Sequence, residues 1–485
     1  MRVLNRTMPA AAAVAALTAC LATGAAAIAQ ASPQATSTTY LVLAPQGNST
    51  AKAAARVAAA GGTVAADYRQ IGVLVARSAN PDFAAAASGS GVEAVASTTG
   101  LGTPLGDDET FEAVGSDTQA ATGDPTGEPL FGLQWDMTQI DVPQAQAVTT
   151  GSSNVVVGVL DSGISSTHPD LATQIAKDKS ASCLGGVVNT AEAAWNPTTS
   201  SHGTHVAGTI AGALNGVVIA GVAPGVKVAS VKVVTDAGFI YPEAAVCGFV
   251  WAAEHGMQIT NNSYFIDPWE FNCRNDPRQR PVWQAVQRAI RYAQNQGVLT
   301  IASAGNSNVD LQHKFVDSGS PNDGSSPVET RTINGACLDL PAEAPGVVTV
   351  SAVGTQRLKS YYSSYGQGVV DVAAPGGDTR QPNPAVSTIA NAVLSSVVGG
   401  WAYMQGTSMA SPHAAGVAAL ALSAHPNLQP AALASFLERT SEALPCPEGI
   451  YNPRPGLDQF LAECTGGSRN GFYGAGEVNA FNAVR

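Results

Sequence analysis

From Leu130 onward, four aliphatic runs constrain the fold more than any other feature: residues 155–160, 228–234, 298–302 and 347–353. Each has the length of a strand and lacks apolar–polar alternation, as expected of a strand buried on both faces. Helical spacing fills the intervals, at 202–214, 242–255, 282–295 and 408–425. Buried strands separated by helices predict an α/β domain, a mostly parallel sheet with helices on both faces. The chain of 485 residues is 45% hydrophobic, enough to fill such a core. Only 12% of residues are charged, and 50 glycines with 29 prolines argue against a coiled coil or acidic disorder. No internal repeat is seen.

A formal net charge of −12, with no long Lys/Arg run, excludes a general nucleic-acid binder. The one apolar stretch of bilayer-spanning length lies in the first 31 residues. Arg2 and Arg6 precede it, and Ala27-Ile28-Ala29 or Ala29-Gln30-Ala31 closes it, so 1–31 reads as a secretory signal peptide. Leu17-Thr18-Ala19-Cys20 resembles a lipoprotein cleavage box, which leaves a lipid anchor through Cys20 as the alternative to free secretion. No other stable membrane association is expected. Removing Cys20 leaves Cys183, Cys247, Cys273, Cys337, Cys446 and Cys464, an even set that implies disulfides in an exported chain. Cys446 and Cys464 share one Pro/Gly-rich stretch and are expected to pair.

Residues 32–99 read as a small α+β unit. Strands at 40–43, 63–68, 71–76 and 92–96, with helices at 51–60 and 81–88, give the ferredoxin-like order β-α-β-β-α-β. Residues 100–128 lose periodicity and gather Gly, Thr, Asp107, Asp108 and Glu109, a flexible-linker composition. Residues 129–485 form the main domain.

Three segments carry chemistry, each where an α/β sheet presents residues beyond a strand or at a helix start. They are Asp161-Ser162-Gly163, His202-Gly203-Thr204-His205-Val206-Ala207-Gly208-Thr209, and Gly406-Thr407-Ser408-Met409-Ala410-Ser411-Pro412. The histidine pair lacks the glutamate of H-E-x-x-H and any cysteine partner, so a zinc site has no support. A serine hydroxyl needs an adjacent base, and a buried carboxylate fixes that base's tautomer. Asp, His and Ser in this order satisfy both needs. Ser408 at a helix N-terminus gains from the helix dipole, and Pro412 is expected in the first helical turn, where its missing N–H costs little. Spacing leaves the choice between His202 and His205 open.

Together the three segments resemble the subtilisin-like (subtilase) serine peptidases, over residues 135–484. The resemblance implies Asp161 as charge-stabilising carboxylate, His202 as base, Ser408 as nucleophile and Asn306 as oxyanion-hole donor. It leaves His205 structural. It implies a protein or peptide substrate added as a strand beside Ala237 and Gly238 and beside Ser263, Tyr264 and Phe265, with Ser303, Ala304 and Gly305 also lining the cleft. Residues 32–99 would be an inhibitory propeptide, the chain's own partner, and the enzyme a monomer and self-processed zymogen. No cofactor is needed for catalysis. The loop 215–220 offers one asparagine and no carboxylate, so the family's tight calcium site is not expected there, and a structural calcium elsewhere is left open. Asn262 replaces a usual methionine, and Phe265 stands where glycine is common, which would narrow the pocket against bulky side chains. Cys273 and Cys337 follow segments that the family places at that pocket, so they are expected to pair. A serine esterase is the rival chemistry, opposed by the absence of G-x-S-x-G around Ser408.

Overall fold

The computed structural model describes residues 37–98, 109–114, 127–321 and 327–485, with backbone alone for 109–114. The signal peptide expected over 1–31, and Cys20 within it, lie outside the described residues.

The first unit contains β1 (Thr38–Leu43), α1 (Ala51–Ala59), β2 (Gly62–Tyr68), β3 (Val73–Ser78), α2 (Phe83–Ala87) and β4 (Ala94–Ser97). Its sheet is antiparallel in the order β2-β3-β1-β4. Side chains alternate across a strand, and both faces are used. Tyr40, Val42, Leu74 and Ala76 pack with Val57 and Phe83 from the two helices, while Leu41, Leu43, Val73 and Val75 face the other way.

The main sheet is built from β5 (Val156–Asp161), α3 (His202–Ala211), β6 (Lys227–Lys232), α4 (Pro242–Glu254), β7 (Ile259–Asn262), α5 (Arg280–Asn295), β8 (Leu299–Ser303), β9 (Val348–Val353), β10 (Val372–Pro375) and α6 (Thr407–Ala424). The order is β10-β9-β8-β7-β5-β6, closed at one edge by the strand Ala181–Ser182, and every pairing is parallel. Val157 and Val159 of β5 point into a core with α3 and α6. Val156 and Leu160 point the opposite way, toward α4 and α5. Leu41, Leu43, Val73 and Val75 of the first unit join that second core. The outer face of its sheet is therefore docked on the main domain rather than solvated.

The chain runs from β5 out to the edge strand, comes back through β6, then crosses to β7 on the other side of β5. This reversal opens a crevice beyond the carboxyl ends of β5 and β7, where α/β sheets bind ligands. Several elements differ from expectation. β7 and β10 were not expected at all. The residues Glu109–Val114, inside the expected linker, form a strand paired antiparallel with Gly400–Gln405; the partner's open edge supplies the backbone pairing that periodicity does not signal. Pro412 lies in the second turn of α6, not the first.

Disulfides join Cys183–Cys247, Cys273–Cys337 and Cys446–Cys464. The last two are the expected pairs. Among the described residues no helix is long and apolar enough to cross a membrane.

Candidate active site

Asp161 is the last residue of β5 and fully buried. His202 is the first residue of α3, and its Nδ1 donates to both Asp161 oxygens, at 2.8 and 2.9 Å. The Asp161 carboxylate also accepts from the Ser162 amide at 2.6 Å. Such close seating depends on Gly203. A Cβ there would lie 2.6 Å from Gly163 O and 3.0 Å from Asp161 Oδ1.

His205 faces away from this pair and donates through Nε2 to Val393 O at 3.1 Å. Burial and the neighbouring His202 lower its pKa to about 3. It is thus an uncharged packing group, and geometry settles what spacing left open.

Ser408 is the second residue of α6, which packs against α3. Its Oγ donates to Ser263 O at 3.3 Å, and Ser263 Oγ returns a bond to Ser408 O at 2.9 Å. The displaced Pro412 explains the second bond. An ordinary residue at 412 would give its N–H to the carbonyl four residues back, at Ser408. Proline leaves that carbonyl to Ser263, which ties the nucleophile helix to the end of β7.

Asn306 follows β8 by three residues. Its Oδ1 accepts from both the amide and the hydroxyl of Thr407, each at 2.8 Å. That fixes the carboxamide so that Nδ2 is its other, donor end. Thr407 was not singled out from the sequence; its place beside Ser408 was the available signal.

Ser263 and Tyr264 are buried and Phe265 is half-buried. Burial, with Asp161 nearby, holds the Tyr264 pKa well above its ordinary value, and the hydroxyl donates to Asn262 Oδ1 at 3.0 Å. Ser303 and Ala304 are buried beside them, and Gly305 has φ +94°. Ala237 and Gly238 differ from the extended edge expected. They sit in a turn closed by Thr235 N to Phe239 O at 2.9 Å, with Gly238 at φ +88°. Asp236 in that turn meets Thr198 and Thr199, just ahead of His202.

The 215–220 loop meets two carboxyls that lie elsewhere in the sequence. Glu128 Oε1 accepts from the amides of Asn215 and Gly216 at 2.6 and 2.7 Å. Asp170 Oδ2 accepts from Trp401 Nε1 at 2.7 Å. Burial raises the pKa of both. Glu128, placed at the end of the expected linker, is 1% exposed and belongs to the main domain.

Comparison with known proteins agrees with this geometry. A model described as the subtilase family matches residues 152–476. Subtilisin DY of Bacillus licheniformis is 30% identical over 320 residues, covering 66% of this chain and 92% of that protein. Fervidolysin of Fervidobacterium pennivorans is 30% identical over 330 residues, covering 65% of this chain but 41% of its own length. The crystal structure of an epidermin leader peptide processing serine protease from Staphylococcus aureus superposes with a TM-score of 0.65 at 20% identity, covering 93% of this chain and 98% of that one. Sheet order, site geometry and family match coincide on the same residues: this chain belongs to the subtilase family and is a subtilisin-like serine endopeptidase acting on peptides or proteins.

Proposed function

We propose that Ser408 attacks the scissile carbonyl while His202 takes its proton, with Asp161 holding the imidazole tautomer and stabilising the imidazolium. The observation that carries this reading is the buried Asp161–His202 pair at the carboxyl end of β5. Asn306 Nδ2 and the Ser408 amide stabilise the oxyanion, an effect of about 10²–10³ in rate per donor. Peptide main chain adds beside 263–265, with 303–305 beneath it, and the 235–239 turn caps the far side of the cleft rather than pairing as a strand. The acyl-enzyme is then hydrolysed without a cofactor. A structural calcium beside the 215–220 loop would be held by Glu128 and Asp170, hard oxygen donors of the kind calcium takes.

The chain is exported, loses residues 1–31, and matures as a monomer by cutting itself in the 97–132 region. A fluorophosphonate should label wild-type protein stoichiometrically at Ser408, with parallel digestion of casein. Labelling without digestion would indicate a different acyl chemistry, and the absence of both labelling and digestion would sink the reading.

Residues 32–99 act as the inhibitor. Their dock supports this: Tyr68 OH donates to Gly186 O at 2.7 Å, and Arg288 reaches Ala44 O at 2.8 Å and Glu93 at 2.7 Å. Glu243, at the start of α4, is buried under the same unit. Burial raises its pKa to about 7, against the smaller opposing effects of its own backbone amide, Thr98 and Arg77. A raised carboxyl favours the docked state while protonated, and that contribution is lost as pH rises from the exposed value toward 7. Inhibitor release should therefore be slower at pH 5 than at pH 8. The check is the lag before activity after preincubation at each pH, with all aliquots assayed at one common pH. Glu243→Gln should flatten that dependence.

A further inference from the structure

β7 and β8 are neighbours in the sheet, and beyond their carboxyl ends the chain continues as two crevice walls, Ser263-Tyr264-Phe265 and Ala304-Gly305-Asn306. Ser408 stands at the head of the gap, bonded to Ser263, and Thr407 holds Asn306 on the other side. A third segment, directly after the Cys273–Cys337 bridge, runs beneath. Ile266 N donates to Leu340 O at 2.7 Å, and a Cβ built on Gly305 would lie 3.5 Å from Asp339 Oδ2. Asp339 therefore lies between the two walls, against the bare Cα of Gly305.

Asp339 is 2% exposed, and no described residue donates to its Oδ1. Its own amide donates to Glu343 Oε2 at 2.7 Å. Burial first, then the charges of Glu343, Glu270 and Asp267, push its carboxyl well above the ordinary range, opposed by Lys314. Lys314 is already paired with Glu343. A buried carboxyl without a donor is costly. A neutral side chain in the gap would leave that cost in place, whereas a guanidinium or ammonium would bring both charge and hydrogen-bond donors.

We propose that Asp339 makes this gap a pocket for a basic side chain, arginine or lysine, on the residue immediately before the scissile bond. The inference rests on reading Ser408 and Asn306 as nucleophile and oxyanion donor. It also fits the half-buried Phe265, since narrowing a pocket selects against breadth and tolerates a long, slim stem.

The test compares kcat/KM on peptide anilides that differ only in the last residue, using the full-length chain incubated to complete processing. Arg and Lys substrates should exceed the Leu and Phe analogues by about 100-fold or more, as when a site's polar group is otherwise left unpaired. In Asp339→Asn the Arg substrate should fall by about 100-fold and the neutral ones rise; Asp339→Glu should keep a basic preference. A second measurement needs no variant: benzamidine should protect Ser408 from fluorophosphonate and benzamide should not. An Arg/Leu ratio below about ten in the wild type, an equal fall for all substrates in Asp339→Asn, or equal protection by both compounds would overturn the pocket. Casein digestion without basic preference sinks the pocket alone. Absence of both labelling and cleavage sinks the peptidase reading beneath it.

Discussion

Ser408→Ala will lower kcat by about 10⁶-fold, the size of loss seen when a triad serine is removed. The full-length chain will also accumulate uncut. The substitution removes one oxygen, which makes a 3.3 Å contact to Ser263 O. The link that anchors the helix runs through the Ser408 carbonyl and survives, so the fold should persist. Intact mass of the secreted variant, made in a protease-free host, is the direct check. A variant that matures at the wild-type rate would show that another protease makes the cut.

Asp161→Asn will cost about 10⁴-fold in kcat with little change in KM. His202 Nδ1 meets both carboxylate oxygens, which only accept, so the ring is held with its proton on Nδ1 and Nε2 is left as the basic nitrogen. An amide can present its NH₂ to Nδ1 and invert that tautomer. The Ser162 amide that bonds Oδ1 will favour keeping an oxygen at its own end, leaving the amino group for histidine. Rates of fluorophosphonate labelling and of peptide hydrolysis should fall together. A loss under about tenfold would mean that something other than Asp161 orients the ring.

The triad positions were legible because each sits in a short segment of distinctive residues at a strand end or helix start, where a neighbour such as Gly203 is set by the approach of Asp161. β5, β6, β8 and β9 were legible because their residues form aliphatic runs. β7 was not. Thr260, Asn261 and Asn262 are fully buried yet polar, and they satisfy one another sideways: Asn262 Nδ2 donates to Thr260 Oγ1 and Ile301 O, and Ser411 Oγ donates to Asn261 Oδ1. A hydrophobic pattern cannot report a strand whose burial is offset by hydrogen bonds. Asp339 was hidden for a related reason. Between Leu338 and Leu340 it resembles a turn acid, and only the approach of Gly305 from 34 residues upstream gives it a role.

The buried His413–Asp136 contact has a consequence for how much of the chain the enzyme can discard. The Met409 carbonyl can only accept, so His413 Nδ1, 2.8 Å away, carries a proton; Nε2, 2.9 Å from Asp136 Oδ2, then needs a further proton on one of the two. A group this deeply buried, on the helix of Ser408, requires its partner. Glu128 and Leu130 are likewise fastened to the 215–220 loop. The start of the main domain is thus stitched to the catalytic helix and its surroundings from Glu128 onward. Of the 97–132 region, that leaves only the bonds ahead of Glu128 for the maturing cut: a new N-terminus there preserves every stitch, and one beyond Asp136 would strand an imidazole inside the core.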